Sequence, residues 1–282
     1  MDRLQAPMYA PRPLYIAVFI CLTYLFGLPD ARAQQSQPDM GSQRLVQLVE
    51  QARRELTAIG LSQPEIALRL KIIENVATVK VYYPHADGGR PEYRNPKLWE
   101  ENEEGSYVPK KNPERAINDL WKTTSGVRCR KLSALILIKS IYDVSDAKRK
   151  GEMNELLVGK VIPNDLDNDG AGTFYVQPDA KNGDAFLTGE LSAGDEVWFE
   201  NPYFDRLSER NQSRYRGQEG HHVFYVGGGR VMDMYEREPH DVEEFRTSFL
   251  KWRSVRTVAE DDNVTPTADD FQIKSVRRAI LK

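Results

Sequence analysis

The spacing of apolar residues changes character along this 282-residue chain, and that change limits what it can fold into. Early on the spacing is helical. Leu45, Val46, Leu48, Val49, Ala52, Leu56 and Ile59 keep one period up to the natural stop at Gly60. A second helix is expected after Ser62, with Pro64 and Glu65 in its first turn and Ile66, Leu68, Leu70, Ile73 and Val76 on its inner face. Pro113 opens a short helical stretch, and Leu132, Leu135, Ile136, Ile138 and Ile141 describe a strongly apolar helix. The second half reads as strands. Gly194-Asp195 makes a turn before Val197 and Phe199, residues 223–226 form a strand, and a three-glycine turn at 227–229 returns the chain through Val231. A helix carrying Phe245, Phe249 and Trp252 follows, then a polar linker at 261–263 and a short terminal element. Helices followed by strands predict an α+β fold.

The first residues read as a leader rather than as part of the fold. Arg3 and Arg12 precede an apolar run from Leu14 to Leu28, and Ala31-Arg32-Ala33 supplies a small-x-small ending. Thr23 and Tyr24 interrupt a run of only about 15 residues, short of the ~20 that a membrane-spanning helix needs. Cleavage after Ala33 and export to the periplasm, envelope or medium are therefore expected, with no stable membrane insertion afterwards. The expected organisation is a signal peptide over 1–33, a helical N-terminal extension with a long loop over 34–112, a main domain over 113–258, and a linker with a C-terminal element over 259–282. The loop, between His85 and Pro113, is rich in Pro, Gly, Asn and charge, as binding surfaces often are.

Composition mainly excludes. With 39 Lys and Arg against 42 Asp and Glu, the net charge of −3 gives no electrostatic footprint for nucleic acid. Two cysteines cannot make a disulfide framework or a zinc ribbon. The chain has no phosphate-binding G-x-x-x-x-G-K-[ST], no dinucleotide glycine motif and no H-E-x-x-H, so no cofactor or metal is expected. Asp165, Asp167 and Asp169 before Gly170 look like the start of a calcium loop, but Val176 stands where its closing acidic residue would fall. A solvated acidic turn is the expectation there. Trp198, Tyr203, Phe204 and Tyr215 could line a substrate groove or simply pack the core and rim.

Loss of the leader would remove Cys21 and leave Cys129. Cys129 follows the polar break 123–128 and heads the apolar helix. The helix dipole, together with Arg128 and Arg130, is expected to favour its thiolate. The free N–H groups of the first turn could stabilise an oxyanion. Downstream, His221 and His222 begin a strand, and the hairpin brings Asp233 back beside it. An imidazole held by a carboxylate and facing a thiol is a nucleophile–base–orienter set. Alternation along the strand sends the two histidines to opposite faces, so only one can be the base. A separation of 11 residues across the turn suits His222 and Asp233 as cross-strand neighbours.

These segments resemble two families. The stretch from Leu191 to Phe199 resembles the "L-x-x-G-D-x-V-x-F" strand of the NlpC-type cell-wall peptidases, a papain-like superfamily. There a cysteine opens a helix and the base begins an "H-V-x-x-Y-x-G" strand; Cys129, His222 and Asp233 fall in that order, although the third residue is usually His. Bacterial spore-coat transglutaminases are more closely similar. Asn118-Asp119-Leu120-Trp121 looks like their "N-D-I-F", Gly194 to Asp205 like their "G-D-x-x-x-F-x-N-P-x-x-D", and Gly220 to Gly227 like their "G-E-N-V-I-x-L-G". Arg128 and His221 replace the two glutamates of that family, so those glutamate roles do not carry over. That alignment puts His221 at the base position, whereas the peptidase alignment selects His222. His222 is favoured because of its register with Asp233, and His221 is the second choice. Cys-His-Asp chemistry is nearer to the crosslinking transglutaminases of animals.

The resemblance implies a papain-like (NlpC-type) catalytic domain, with the nucleophile helix packed on an antiparallel sheet beside the helical extension. Three functions follow from it. The first is crosslinking of protein glutamine to lysine through a Cys129 thioester. The second is peptidoglycan cleavage by the same residues with water as acceptor, and the third is a non-catalytic binding module. Protein substrates or peptidoglycan are the expected partners.

Overall fold

The computed structural model describes residues 41–82, 95–101, 107–162, 175–176, 186–215 and 217–279. The expected leader, the acidic segment 165–170 and much of the expected binding loop lie outside them. Helices α1 (Ser42–Ala58) and α2 (Gln63–Thr78) come first, then the short strand β1 (Val81–Tyr82). The described part of that loop holds a small hairpin, β2 (Trp99–Glu101) with β3 (Tyr107–Pro109). Helix α3 (Pro113–Asp119), strand β4 (Ser125–Gly126), and helices α4 (Cys129–Val144) and α5 (Ala147–Leu157) follow. The rest alternates: β5 (Tyr175–Val176), β6 (Glu196–Glu200), α6 (Glu209–Arg214), β7 (Gly220–Gly227), β8 (Arg230–Met232), β9 (Pro239–Asp241), α7 (Val242–Ser248), α8 (Arg253–Asp262) and β10 (Ile273–Ala279).

Local chemistry explains the helix ends. Ser62 and Glu65 form a capping box at the head of α2, with Glu65 accepting from the Ser62 backbone at 3.0 Å. Asn112 caps α3 by accepting from the Arg115 backbone at 2.8 Å, and Asp146 caps α5 in the same way at 2.9 Å. Asn263, at φ 52°, ends α8 in the left-handed conformation that helix C-termini favour.

The main sheet is antiparallel, in the order β5-β10-β6-β7-β8-β9. The expected terminal element is therefore β10, inserted between β5 and β6. Residues alternate between two buried faces. Phe224, Val226, Met232 and Met234 pack with α1, α2, α3 and α4 in the larger apolar cluster. Val197, Phe199, Val223, Tyr225 and Val231 pack on the other side, with Phe245 and Phe249 from α7 and the turn of 3-10 helix after it. Helices α1 and α2 share their core with α4, so α4 is clamped between the sheet and the N-terminal helices. Each fully buried Leu or Ile in such a cluster contributes about 1.5–3 kcal/mol relative to exposure. No helix among the described residues is long and apolar enough to cross a membrane.

Gly194 and Asp195 act as a joint. Gly194 sits at φ +89°, and a Cβ there would lie 2.9 Å from Arg69 Cβ and 3.0 Å from its Cα. That close approach lets fully buried Asp195 accept from Arg69 Nη1 at 2.8 Å on α2, and from Arg278 Nε at 2.8 Å and Nη2 at 2.7 Å. One carboxylate thus ties α2 to the segment after β10's midpoint. The Gly-Asp pair of the sequence motif serves the scaffold rather than the chemistry.

Candidate active site

Cys129 is the first residue of α4, as its sequence context predicts, and is half-buried. The backbone N–H groups of His222 and Arg130 donate to its sulfur. The expected thiolate is not found. Burial pushes the thiol up to about 11, the carboxylates of Asp233 and Glu196 push the same way, and the two N–H donors only partly offset them. The helix dipole is outweighed because the sulfur has left water and faces two negative charges. Cys129 therefore rests as a neutral thiol, and any attack by its sulfur would need a base.

The two histidines of β7 go to opposite faces as expected, and each finds a carboxylate. The pairing differs from the expected one. Asp233 binds His221 through Nε2, and Glu196 binds His222 through Nδ1. The cause is a bulge in the hairpin. At the turn Gly227 faces Arg230, and continuing that register would set Asp233 opposite Phe224, on the face of His222. The register shifts before Tyr225, which faces Val231, so Phe224 faces Met232. A one-residue shift sends every later side chain to the other face, and Asp233 joins His221.

Asp233 is well anchored. Its Oδ1 accepts from the Tyr235 backbone at 2.5 Å and the Glu236 backbone at 3.2 Å. Burial alone would raise its pKa, but His221 and these N–H groups hold it below the usual carboxylate value. Tyr235 then donates through its hydroxyl to the Val127 carbonyl at 2.7 Å, two residues before Cys129. The His221 ring lies 6.1 Å from Phe245 and 6.3 Å, edge-on, from Trp252.

His222 lies on the α4 face, its ring 4.3 Å from that of Trp198. Trp198 crosses the strand so closely that a Cβ on Gly220 would come within 2.3 Å of the indole. Burial lowers the His222 pKa, Arg277 and His221 add to the effect, and Glu196 only partly opposes it. Glu196 is fully buried, which would raise its pKa; Arg277 and His222 override that and hold it far below normal. Arg277 reaches it with Nε to Oε2 at 2.5 Å and Nη2 to Oε1 at 2.9 Å, and Nη2 also donates to Ser133 Oγ at 2.8 Å.

The sequence pattern singles out Cys129, His221, His222 and Asp233 as candidates, and gives no sign of Glu196 and Arg277, which the structure places beside them. Glu196, Trp198 and Glu200 alternate with Val197 and Phe199, so they look like an ordinary solvent face. The structure covers the sheet with helices on both faces, so it has no solvent face there, and a carboxylate inside it needs a cation. The four aromatics considered for a groove do not act together. Trp198 touches the site, Tyr203 donates to Asp270 at 2.7 Å, and Phe204 and Tyr215 pack on the second cluster. Among the described residues no group of His, Cys, Asp or Glu is arranged to hold a metal ion.

No family model matches the chain. No curated protein matches it either. Among solved structures, a transglutaminase from Geobacillus stearothermophilus, without its C-terminal extension, is similar at a TM-score of 0.54. The likeness covers 78% of this chain and 95% of that one, at 17% sequence identity. The chain has a transglutaminase-like fold, with which a papain-like core is consistent.

Proposed function

We propose that the protein is a thiol acyltransferase that joins protein glutamine to lysine, with Cys129 as nucleophile, His221 as base and Asp233 as orienter. One observation carries this reading: a neutral cysteine at a helix head accepts from the His222 backbone N–H and feels the charge of Asp233, the carboxylate that pairs with the adjacent His221, in a fold similar to a transglutaminase. His221 is preferred to His222 on two grounds. A base must accept positive charge, and burial and Arg277 oppose that at His222. Of the two carboxylates, Asp233 acts more strongly on the thiol, and its turn is tied to Val127.

In the proposed cycle the Cys129 sulfur attacks the glutamine side-chain carbonyl while His221 Nδ1 takes the thiol proton. Backbone N–H groups at the head of α4 stabilise the oxyanion. His221 returns the proton to the leaving nitrogen, ammonia departs, and a thioester remains. A lysine amine attacks the thioester, giving up a proton to His221; the C–S bond breaks, and the isopeptide and the free thiol form. Asp233 holds the proton on Nε2 and stabilises the imidazolium.

The test supplies a glutamine peptide and a fluorescent primary amine. Incorporation that falls by several orders of magnitude in Cys129→Ala is the expected result. Peptidoglycan cleavage without incorporation would establish water as the acceptor instead. Failure of both activities in the folded protein would leave only a binding role.

A further inference from the structure

The buried group of Ser133, Glu196, His222 and Arg277 lies outside the proposed cycle, yet it joins α4 and β7, which carry Cys129 and His221, to β6 and β10. We infer that Glu196, held by Arg277, is a positioning residue: by fixing the His222 ring through Nδ1, it fixes the His222 backbone N–H at the sulfur of Cys129. The inference rests on Cys129 being the nucleophile. A carboxylate only accepts, so its bond to Nδ1 makes that nitrogen the donor and sets the tautomer. Both oxygens of Glu196 are taken by Arg277, which stops the carboxylate from rotating. Arg277 also grips Ser133 at 2.8 Å, one turn along α4 from Cys129 and on the same side of the helix. The network therefore links β10, β6 and β7 to the helix that carries the thiol. An apolar pair of similar volume would serve stability at least as well as a buried ion pair, so the charges point to alignment.

Two double variants separate alignment from mere stability. Glu196→Leu with Arg277→Met removes both charges and the acceptor for His222. Glu196→Gln with Arg277→Met removes both charges but keeps a side-chain carbonyl for Nδ1–H. Imidazole nitrogen NMR, Tm, and kcat and KM for amine incorporation are compared with wild type. The expected result is an intact Nδ1–H tautomer in the Gln variant, with a kcat between those of wild type and the Leu variant because the Arg277 clamp is gone. The Leu variant should lose that tautomer and about 10–100-fold in kcat, with KM changed little, at similar Tm. Equal kcat in both variants, or an unchanged tautomer in the Leu variant, would overturn the inference. If wild type incorporates no amine, the proposed function fails separately. The iodoacetamide rate at Cys129 against pH then reads alignment alone, and matching profiles in the two variants would overturn it.

Discussion

At the scale of single residues, charge inside the fold is what needs explaining. Glu196 and Arg277 are both buried, and each is tolerated only because the other is present. Glu196→Gln leaves Arg277 uncompensated and should cost about 3–5 kcal/mol, read as a lower denaturant midpoint with an unchanged slope. A change below about 1 kcal/mol would mean that the guanidinium finds water or another acceptor. Cys129 was legible in the sequence because a break of polar residues sits directly before an apolar period. Its protonation state was not, since that depends first on burial and then on carboxylates 67 and 104 positions away in the chain, both of which only folding supplies. Arg277 was hidden for the same reason, 81 positions from its partner.

At the scale of elements, the site depends on where strands and joints fall. Helices α1, α2 and α4 were readable from period and caps, because those signals are local. Strand β10 was not, because Lys274, Ser275, Arg277 and Arg278 make an interior strand look like a polar tail. The β7–β8 bulge was also hidden: loop glycines announce a hairpin but do not state its register. The joint at Gly194 gives a direct check. Gly194→Ala places a methyl group against the α2 backbone at φ +89° and should cost about 1–3 kcal/mol in chemical denaturation. A neutral result would show that α2 and the turn before β6 do not approach as closely as described.

For the whole molecule, the buried titratable groups set the acid limit of stability. His222 is held below its ordinary 6.5, Glu196 below 4.5 and Asp233 below 3.8. In each case the unfolded chain binds a proton that the folded chain refuses, so stability rises with pH through these ranges. The contributions are complete above each ordinary value and are lost as pH falls below it. Tm should therefore start to fall below about pH 6.5, through His222, and fall faster below about 4.5. A Tm flat from pH 7 to 4 would contradict the buried pairs. The same pairs flank the thiol, so the features that limit stability in acid also frame the proposed chemistry.

An acyl group carried by Cys129 is the most direct sign of the proposed chemistry. The protein is given a glutamine-donor peptide without amine, quenched in acid during turnover, digested, and examined by mass spectrometry. A thioester-linked acyl adduct is expected on the peptide containing Cys129. It should be lost on adding a primary amine, absent in Cys129→Ala, and much reduced in His221→Ala. Amine incorporation without that adduct, or an adduct that persists when Cys129 is replaced, would contradict that chemistry.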